Sequence, residues 1–256
     1  MNSDNTSEII LPNGKQTKEV IGPDGSTIWQ KEADIPDSVV DDFERGDLSP
    51  YSTSPSSVDW DVSQSDVVEG DWAASVGSTG FDDQQIVSEP GDGLDYYPEM
   101  GDTIAFLIRE VATSDDRIVP GLAFCGSISG GEYSGYGAEI DGRDDHIALY
   151  KWDESEDSEN RTELALTNQT IDAPVWYWGE VDIPESDGEI EFRLYELNES
   201  EMEAENYSEA RGTHLATVSA TDSDYVNQQG IGGVKRSDGD GATCLDWIVK
   251  IDPDSL

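Results

Sequence analysis

Gly188-Glu189-Ile190-Glu191-Phe192-Arg193-Leu194-Tyr195-Glu196-Leu197 alternates along its length: Ile190, Phe192 and Leu194 share one face, while Glu189, Glu191 and Arg193 share the other. A period of two marks a strand with one buried and one wet face. The same pattern runs through Thr103 to Val111, where Ile104, Phe106 and Ile108 align, and through His146 to Trp152, Trp176 to Ile183, His214 to Ala220 and Trp247 to Ile251. These runs are short, separated by Gly and Asp turns, and accompanied by almost no helical periodicity, which predicts an all-β sandwich or jelly roll. The exception is Glu199 to Arg211, a polar segment that reads as an inserted loop with one helical turn.

The first 32 residues read differently. Ser7 to Leu11, Thr17 to Ile21 and Ser26 to Gln30 are short strand runs joined by Pro12-Asn13-Gly14 and Gly22-Pro23-Asp24-Gly25. Asn-Gly and Asp-Gly between such runs are strong hairpin signals. A small β meander of this kind cannot bury a core alone. Residues 1–32 are therefore expected to pack on their own copies or on another protein, ahead of one large domain over 33–256.

The chain has 57 Asp plus Glu against 14 Lys plus Arg, a net charge of −43. Such a balance excludes nucleic-acid binding through a basic footprint and argues against docking on anionic lipid. Seven Trp, ten Tyr and five Phe, mostly within the alternating runs, decide against disorder. So many carboxylates repel one another in dilute buffer, but at molar salt the Debye length falls to about 3 Å. The charge reads as adaptation to a hypersaline solvent. No stretch approaches the roughly 18 to 20 apolar residues of a membrane span, so no membrane insertion is expected. Met1-Asn2-Ser3-Asp4-Asn5 has neither the basic nor the apolar region of a secretion signal. Cys125 and Cys244 lie in or beside apolar runs and read as two buried thiols.

Val39-Val40-Asp41-Asp42-Phe43-Glu44, Glu69-Gly70-Asp71-Trp72-Ala73-Ala74, Asp145-His146-Ile147-Ala148-Leu149-Tyr150, Trp176-Tyr177-Trp178-Gly179-Glu180-Val181-Asp182 and Leu215-Ala216-Thr217-Val218 are taken together with the Gly188 to Tyr195 run. In this order they resemble the concanavalin A-like (laminin-G/lectin-type) jelly roll. Gly230-Ile231-Gly232-Gly233 and Leu245-Asp246-Trp247-Ile248-Val249 fit its closing strands. The resemblance covers about residues 35 to 253 and implies that Asp41 to Glu44 neighbours Asp246 to Ile251. An acidic jelly roll preceded by Val20-Ile21-Gly22-Pro23-Asp24-Gly25-Ser26-Thr27-Ile28-Trp29 is also similar to proteins of haloarchaea and their tailed viruses.

The fold hosts lectins, hydrolases and inert modules alike, so function has to come from sites. Lectins stack an exposed aromatic on the apolar face of a sugar. The candidates are Tyr96 and Tyr97 after Gly93, Tyr133 and Tyr136 in the Gly-rich stretch Ser127 to Gly137, and Trp152 at a strand end. The Gly-rich tyrosines are expected to face outward. No cofactor is required. Calcium is the candidate ion, because the resemblance implies a rim site and the ion takes six to eight oxygens. Asp238-Gly239-Asp240 and the turn around Asp141 and Asp144 are its candidate ligands, against the alternative of a solvated acidic cluster. Asn5, Asn160, Asn168, Asn198 and Asn206 all lie in Asn-x-Ser/Thr sequons, where roughly one or two would arise by chance, hinting at a glycosylated exterior.

Glu180-Val181-Asp182-Ile183-Pro184-Glu185 matches the Glu-x-Asp-x-x-Glu pattern of jelly-roll glucanases, but Pro184 interrupts the strand and moves Glu185 into a turn. His146 and His214 read as strand-face structural histidines. The leading expectation is a non-enzymatic structural protein of a haloarchaeal tailed virus, a capsid turret, decoration protein or tail fibre. It would assemble in the host cytoplasm and be displayed on the virion surface. It would form a homo-oligomer, trimer or pentamer, bind other virion proteins through residues 1–32, and adhere to host-surface glycan or S-layer. The alternatives are a cellular carbohydrate-binding module and a glycoside hydrolase using Glu180 and Glu185.

Overall fold

The computed structural model describes residues 6–10, 16–21, 27–32, 38–55, 60–68, 70–76, 83–112, 117–155, 160–186, 188–202, 207–236 and 242–252. β1 (Thr6–Ile10), β2 (Gln16–Ile21) and β3 (Thr27–Glu32) form an antiparallel three-stranded sheet of their own, as the hairpin signals require.

The remaining elements open with β4 (Ser38–Asp41), β5 (Ser52–Ser54), β6 (Trp60–Ser63), β7 (Ala73–Val76) and β8 (Asp83–Ser88). There follow β9 (Thr103–Arg109), β10 (Val111–Ala112), β11 (Arg117–Ser129), β12 (Glu132–Asp141), β13 (His146–Ser155) and β14 (Arg161–Asn168). The chain closes with β15 (Trp176–Asp182), β16 (Glu189–Leu197), α1 (Glu199–Met202), α2 (Tyr207–Ala210), β17 (Arg211–Thr221), β18 (Gly230–Arg236) and β19 (Ala242–Ile251).

These strands build a jelly-roll sandwich of two antiparallel sheets. Sheet I runs β14-β13-β12-β11-β18-β8-β5, with β10 beside β11, and sheet II runs β17-β16-β15-β9-β19-β7-β6, with β4 beside β19. The neighbourhood implied by the resemblance is present: Val39 faces Val249 and Asp41 faces Ile248 across β4 and β19. Inward residues of both sheets interdigitate in one core, where Ile104, Phe106 and Ile108 of β9 meet Ile190, Phe192 and Leu194 of β16 and Leu122 and Phe124 of β11. Phe106 and Phe192 stack with ring centres 6.0 Å apart. Fully burying each such side chain contributes about 1.5 to 3 kcal/mol.

The segment from Glu199 forms two single helical turns. Their Met202 and Ala210 are buried against the outer face of sheet II, where Tyr207 stacks on Trp247 at 4.9 Å. Cys125 and Cys244 are free, buried thiols. Among the described residues no helix is long and apolar enough to cross a membrane.

Candidate functional site

The face of sheet I turned away from the core carries charge and aromatic rings together. The register places Gln85, Val234, Gly121 and Glu139 in one row across β8, β18, β11 and β12, with Asp83 and Arg236 in the row beside it. Tyr150 and Trp152 of β13 pair with Glu163 and Arg161 of β14 on the same face. From β14 to β8 is five strand spacings, about 24 Å in a flat sheet at roughly 4.8 Å each. Yet Arg161 Nη1 lies 3.3 Å from Asp83 Oδ2. The guanidinium groups of Arg161 and Arg236 sit 4.9 and 5.4 Å from the centre of the Tyr150 ring. Side chains cross such a span only if the sheet curls with this face inside, so the outer face of sheet I is a concave cradle.

Bulges supply the bend. The extra residues lie between Phe124 and Ser127 in β11, where Cys125 holds a φ of 48°, between Trp152 and Ser155 in β13, where Glu154 holds a φ of 49°, and between Glu163 and Ala165 in β14. Each extra residue bends the strand and raises its twist.

Arg236 binds two carboxylates in the cradle, Glu139 Oε2 through Nε at 2.9 Å and Asp141 Oδ2 through Nη2 at 3.0 Å. Glu139 is almost wholly buried and its Oε1 has no hydrogen-bond partner among the described residues. Burial pushes the Glu139 carboxyl up to about 7, opposed by Arg236 and Arg161 and reinforced by Asp83. Trp152 Nε1 and both amide atoms of Gln85 are likewise buried without a partner among the described residues. Each such group costs about 1 to 3 kcal/mol until something bonds to it.

The outer face of sheet II offers a contrast. Glu180 is fully buried, and its Oε1 accepts from Trp178 Nε1 at 2.9 Å and Arg211 Nη1 at 3.0 Å, while its Oε2 accepts from Arg193 Nε at 3.1 Å. Arg193 also holds Asp182 and Glu191. Glu185 is exposed in the turn after β15. The structure therefore does not bring Glu180 and Glu185 together on one strand face.

No family model matches the sequence, and no curated protein matches it. Among solved structures the chain is similar to the carbohydrate-binding module CBM66 from Bacillus subtilis, at 17% identity over 76% of this chain and 96% of that one, with a TM-score of 0.45. It is also similar to a carbohydrate esterase from the Shiga toxin-encoding bacteriophage phi24B, at 12% identity over 83% and 95% of the two chains, TM-score 0.44. A legume lectin-like domain from Entamoeba histolytica follows at 12% identity over 75% and 87%, TM-score 0.34.

The Gly-rich tyrosines do not face outward as expected: Tyr133 and Tyr136 are fully buried, and so is Trp152. The glycines around them are not loop residues but strand positions that make room for rings: a Cβ on Gly137 would sit 2.5 Å from the Trp152 ring, and one on Gly126 or Gly135 would meet Tyr133 at 2.5 Å. Tyr136 points into the core, and its hydroxyl donates to Asp222 at 2.6 Å. Tyr96 and Tyr97 are half-buried loop anchors. Tyr96 donates to Asp102, and the Tyr97 hydroxyl accepts from the backbone of Gly93 and Leu94 at 3.2 Å.

Asp141, besides its bond to Arg236, accepts from the backbone N–H groups of Arg143 and Asp144 at 3.1 Å, which closes its own turn. Asp144 is exposed. Among the described residues no three His, Cys, Asp or Glu side chains converge as metal ligands. Asp238 and Asp240 lie outside the described residues, as do Asn5 and Asn206. Asn160, Asn168 and Asn198 are exposed. His146 is buried with its Nε2 3.8 Å from Asp141 Oδ2, and His214 Nε2 meets Thr217 Oγ1 at 2.8 Å.

Sequence reasoning missed Glu139, Gln85, Asp83, Arg161 and Arg236. One signal was present: Lys235-Arg236 closes an otherwise apolar strand in a chain poor in cations, and Glu139 interrupts Tyr136-Gly137-Ala138 and Ile140. A second concavity, of about 420 Å³, opens at one end of the sandwich between Asp172, Val175, Trp176, Tyr177, Glu196 and Leu215.

Proposed function

We propose that the chain is a lectin-type protein that binds glycan in the concave face of sheet I and works in a hypersaline medium. The observation that carries this reading is the curl of sheet I, which gathers the partly exposed Arg161 and Arg236 around the Tyr150 ring at one rim. Beneath them Trp152 Nε1, Glu139 Oε1 and the Gln85 amide are buried without a partner among the described residues, so a ligand that displaces the groups above them would find two donors and up to two acceptors there.

In this reading the protein is a virion structural protein of a haloarchaeal tailed virus, a turret, decoration or tail-fibre component, that binds and does not cleave. Residues 1–32 dock it or join its copies. That segment has three lysines against five acids, a charge of −2, leaving −41 for the rest of the chain. A segment covered by partners does not need the acidic coat that the solvent-facing surface carries, and three short strands need outside support. Host-surface glycan or S-layer is the target, and the exposed Asn160, Asn168 and Asn198 are modification points.

A glycan array in molar salt tests the binding reading: one retained sugar class supports it, and silence across the array ends it. Light scattering of the full chain and of a chain lacking residues 1–32 tests the docking role. A stable oligomer that dissociates on deletion is expected, and a monomeric full-length chain would contradict it.

A further inference from the structure

The three-stranded sheet β1-β2-β3 sorts its charges by face. Residues directly opposite one another in an antiparallel register share a face. One face holds the row Glu8, Lys18 and Lys31, the row Thr6, Val20 and Trp29, and the pair Ile10 and Gln16. The other holds the row Ser7, Glu19 and Gln30 and the row Ile9, Thr17 and Glu32. The first set has two lysines to one acid and includes Trp29, whereas the second has two acids and no cation.

Lys18 and Lys31 stand directly opposite each other. Like charges in that position destabilise a strand pair, and a chain with only six lysines has set two of them there. Glu8 stands opposite Lys18 on β1 and offsets it. Lys31 lies on β3, an outer strand of the sheet, so its cross-strand neighbour is the other lysine. The sheet by itself gives no reason for this arrangement; an acidic surface laid over the face does.

Resting on the reading that residues 1–32 join copies of the chain, we infer that the face with Lys18, Lys31 and Trp29 docks on the carboxylate-bearing surface of a neighbouring copy's jelly-roll domain. Residues 33–256 carry the remaining −41, so each copy brings the counter-charge that its neighbour's lysine pair needs. At molar salt attraction is screened within about 3 Å, so the lysines act by direct contact with carboxylates, and the row with Val20 and Trp29 adds apolar area. The face with Glu19 and Glu32 is left to the solvent, like the acidic coat of the rest of the chain. One surface set on a different surface of the next copy is a head-to-tail contact, which builds closed rings such as a trimer or pentamer.

The test is light scattering of the full chain in molar potassium chloride over a range of protein concentrations. Lys31→Glu turns the like-charge pair into an opposite-charge one, which favours the sheet itself, yet it sets a carboxylate against the neighbour's carboxylates. The oligomer of that variant should form only at about tenfold or more higher concentration. Lys31→Arg should assemble as the parent does, and so should Glu32→Gln on the opposite face. A Lys31→Glu chain that assembles as tightly as the parent overturns the inference, and so does an equal loss from Glu32→Gln. If the chain lacking residues 1–32 nevertheless dissociates, the joining role stands and only the assigned face falls. A monomeric parent removes the joining role and this inference with it.

Discussion

Glu180 and Glu139 occupy matching places on the two sheets. Each is buried in the middle of a strand, on the face turned from the core, and each shares that face with arginines and a tryptophan. Glu180 has both oxygens bonded, to Trp178, Arg193 and Arg211. Glu139 has one oxygen bonded to Arg236 and one without a partner among the described residues, and the tryptophan on its face has no partner for its N–H there either. A closed polar network contributes rigidity, whereas a half-closed one is costly unless something completes it. The two faces differ accordingly: sheet II closes its polar network beside the two-turn insertion, and sheet I leaves buried donors and acceptors without a partner among the described residues.

The largest effect should come from breaking the closed network. Glu180→Leu leaves Arg211 and the Trp178 N–H without their carboxylate and should cost about 3 to 5 kcal/mol in denaturant unfolding at molar salt. A loss under about 1 kcal/mol would mean that the face does not depend on it.

Next comes the pH response of the open network. The folded Glu139 carboxyl sits at about 7 against 4.5 for an unperturbed glutamate. Its stabilisation is therefore complete below pH 4.5 and is lost as pH rises through about 7, where a buried anion forms. Over that window the loss attributable to this group is on the order of 3 kcal/mol. Glu139→Gln should flatten this part of the stability curve, and a variant curve parallel to the parent would remove Glu139 from the titration.

The tryptophans give a matched pair of smaller effects. Both side chains are fully buried, so either change to Phe leaves a cavity of similar size. Trp178→Phe also takes a bonded donor from Glu180, whereas the Trp152 N–H has no partner among the described residues, so Trp178→Phe should cost about 1 to 2 kcal/mol more than Trp152→Phe. The smallest signal lies in the shared core. Burial pushes the Cys125 and Cys244 thiols up to about 12, so neither should react with a thiol reagent at neutral pH until the chain unfolds.

The fold was legible because alternation is a local property. Ile190, Phe192 and Leu194 point inward as their spacing requires, and β1 to β3 fall where the Asn-Gly and Asp-Gly turns bound them. The site was not, for two physical reasons. Glycine reads as a turn signal, yet Gly126, Gly135 and Gly137 lie in strands and make room for the rings of Tyr133 and Trp152, so tyrosines expected to face outward are packed inside. Curvature also brings Asp83 of β8 to Arg161 of β14, a contact between strands five places apart that no spacing along the chain encodes. In a chain with 57 acids, Glu139 and Glu180 look alike until their hydrogen bonds are known.

The central claim, that the concave face of sheet I is the binding face, is tested most directly by titrating the parent chain, Trp152→Phe and Trp178→Phe with one uncharged oligosaccharide in molar salt while recording their melting midpoints. The account expects Trp152→Phe to bind two- to tenfold more weakly, and Trp178→Phe to melt earlier than Trp152→Phe with its affinity intact. Equal affinity of Trp152→Phe and the parent, or a loss confined to Trp178→Phe, would contradict it.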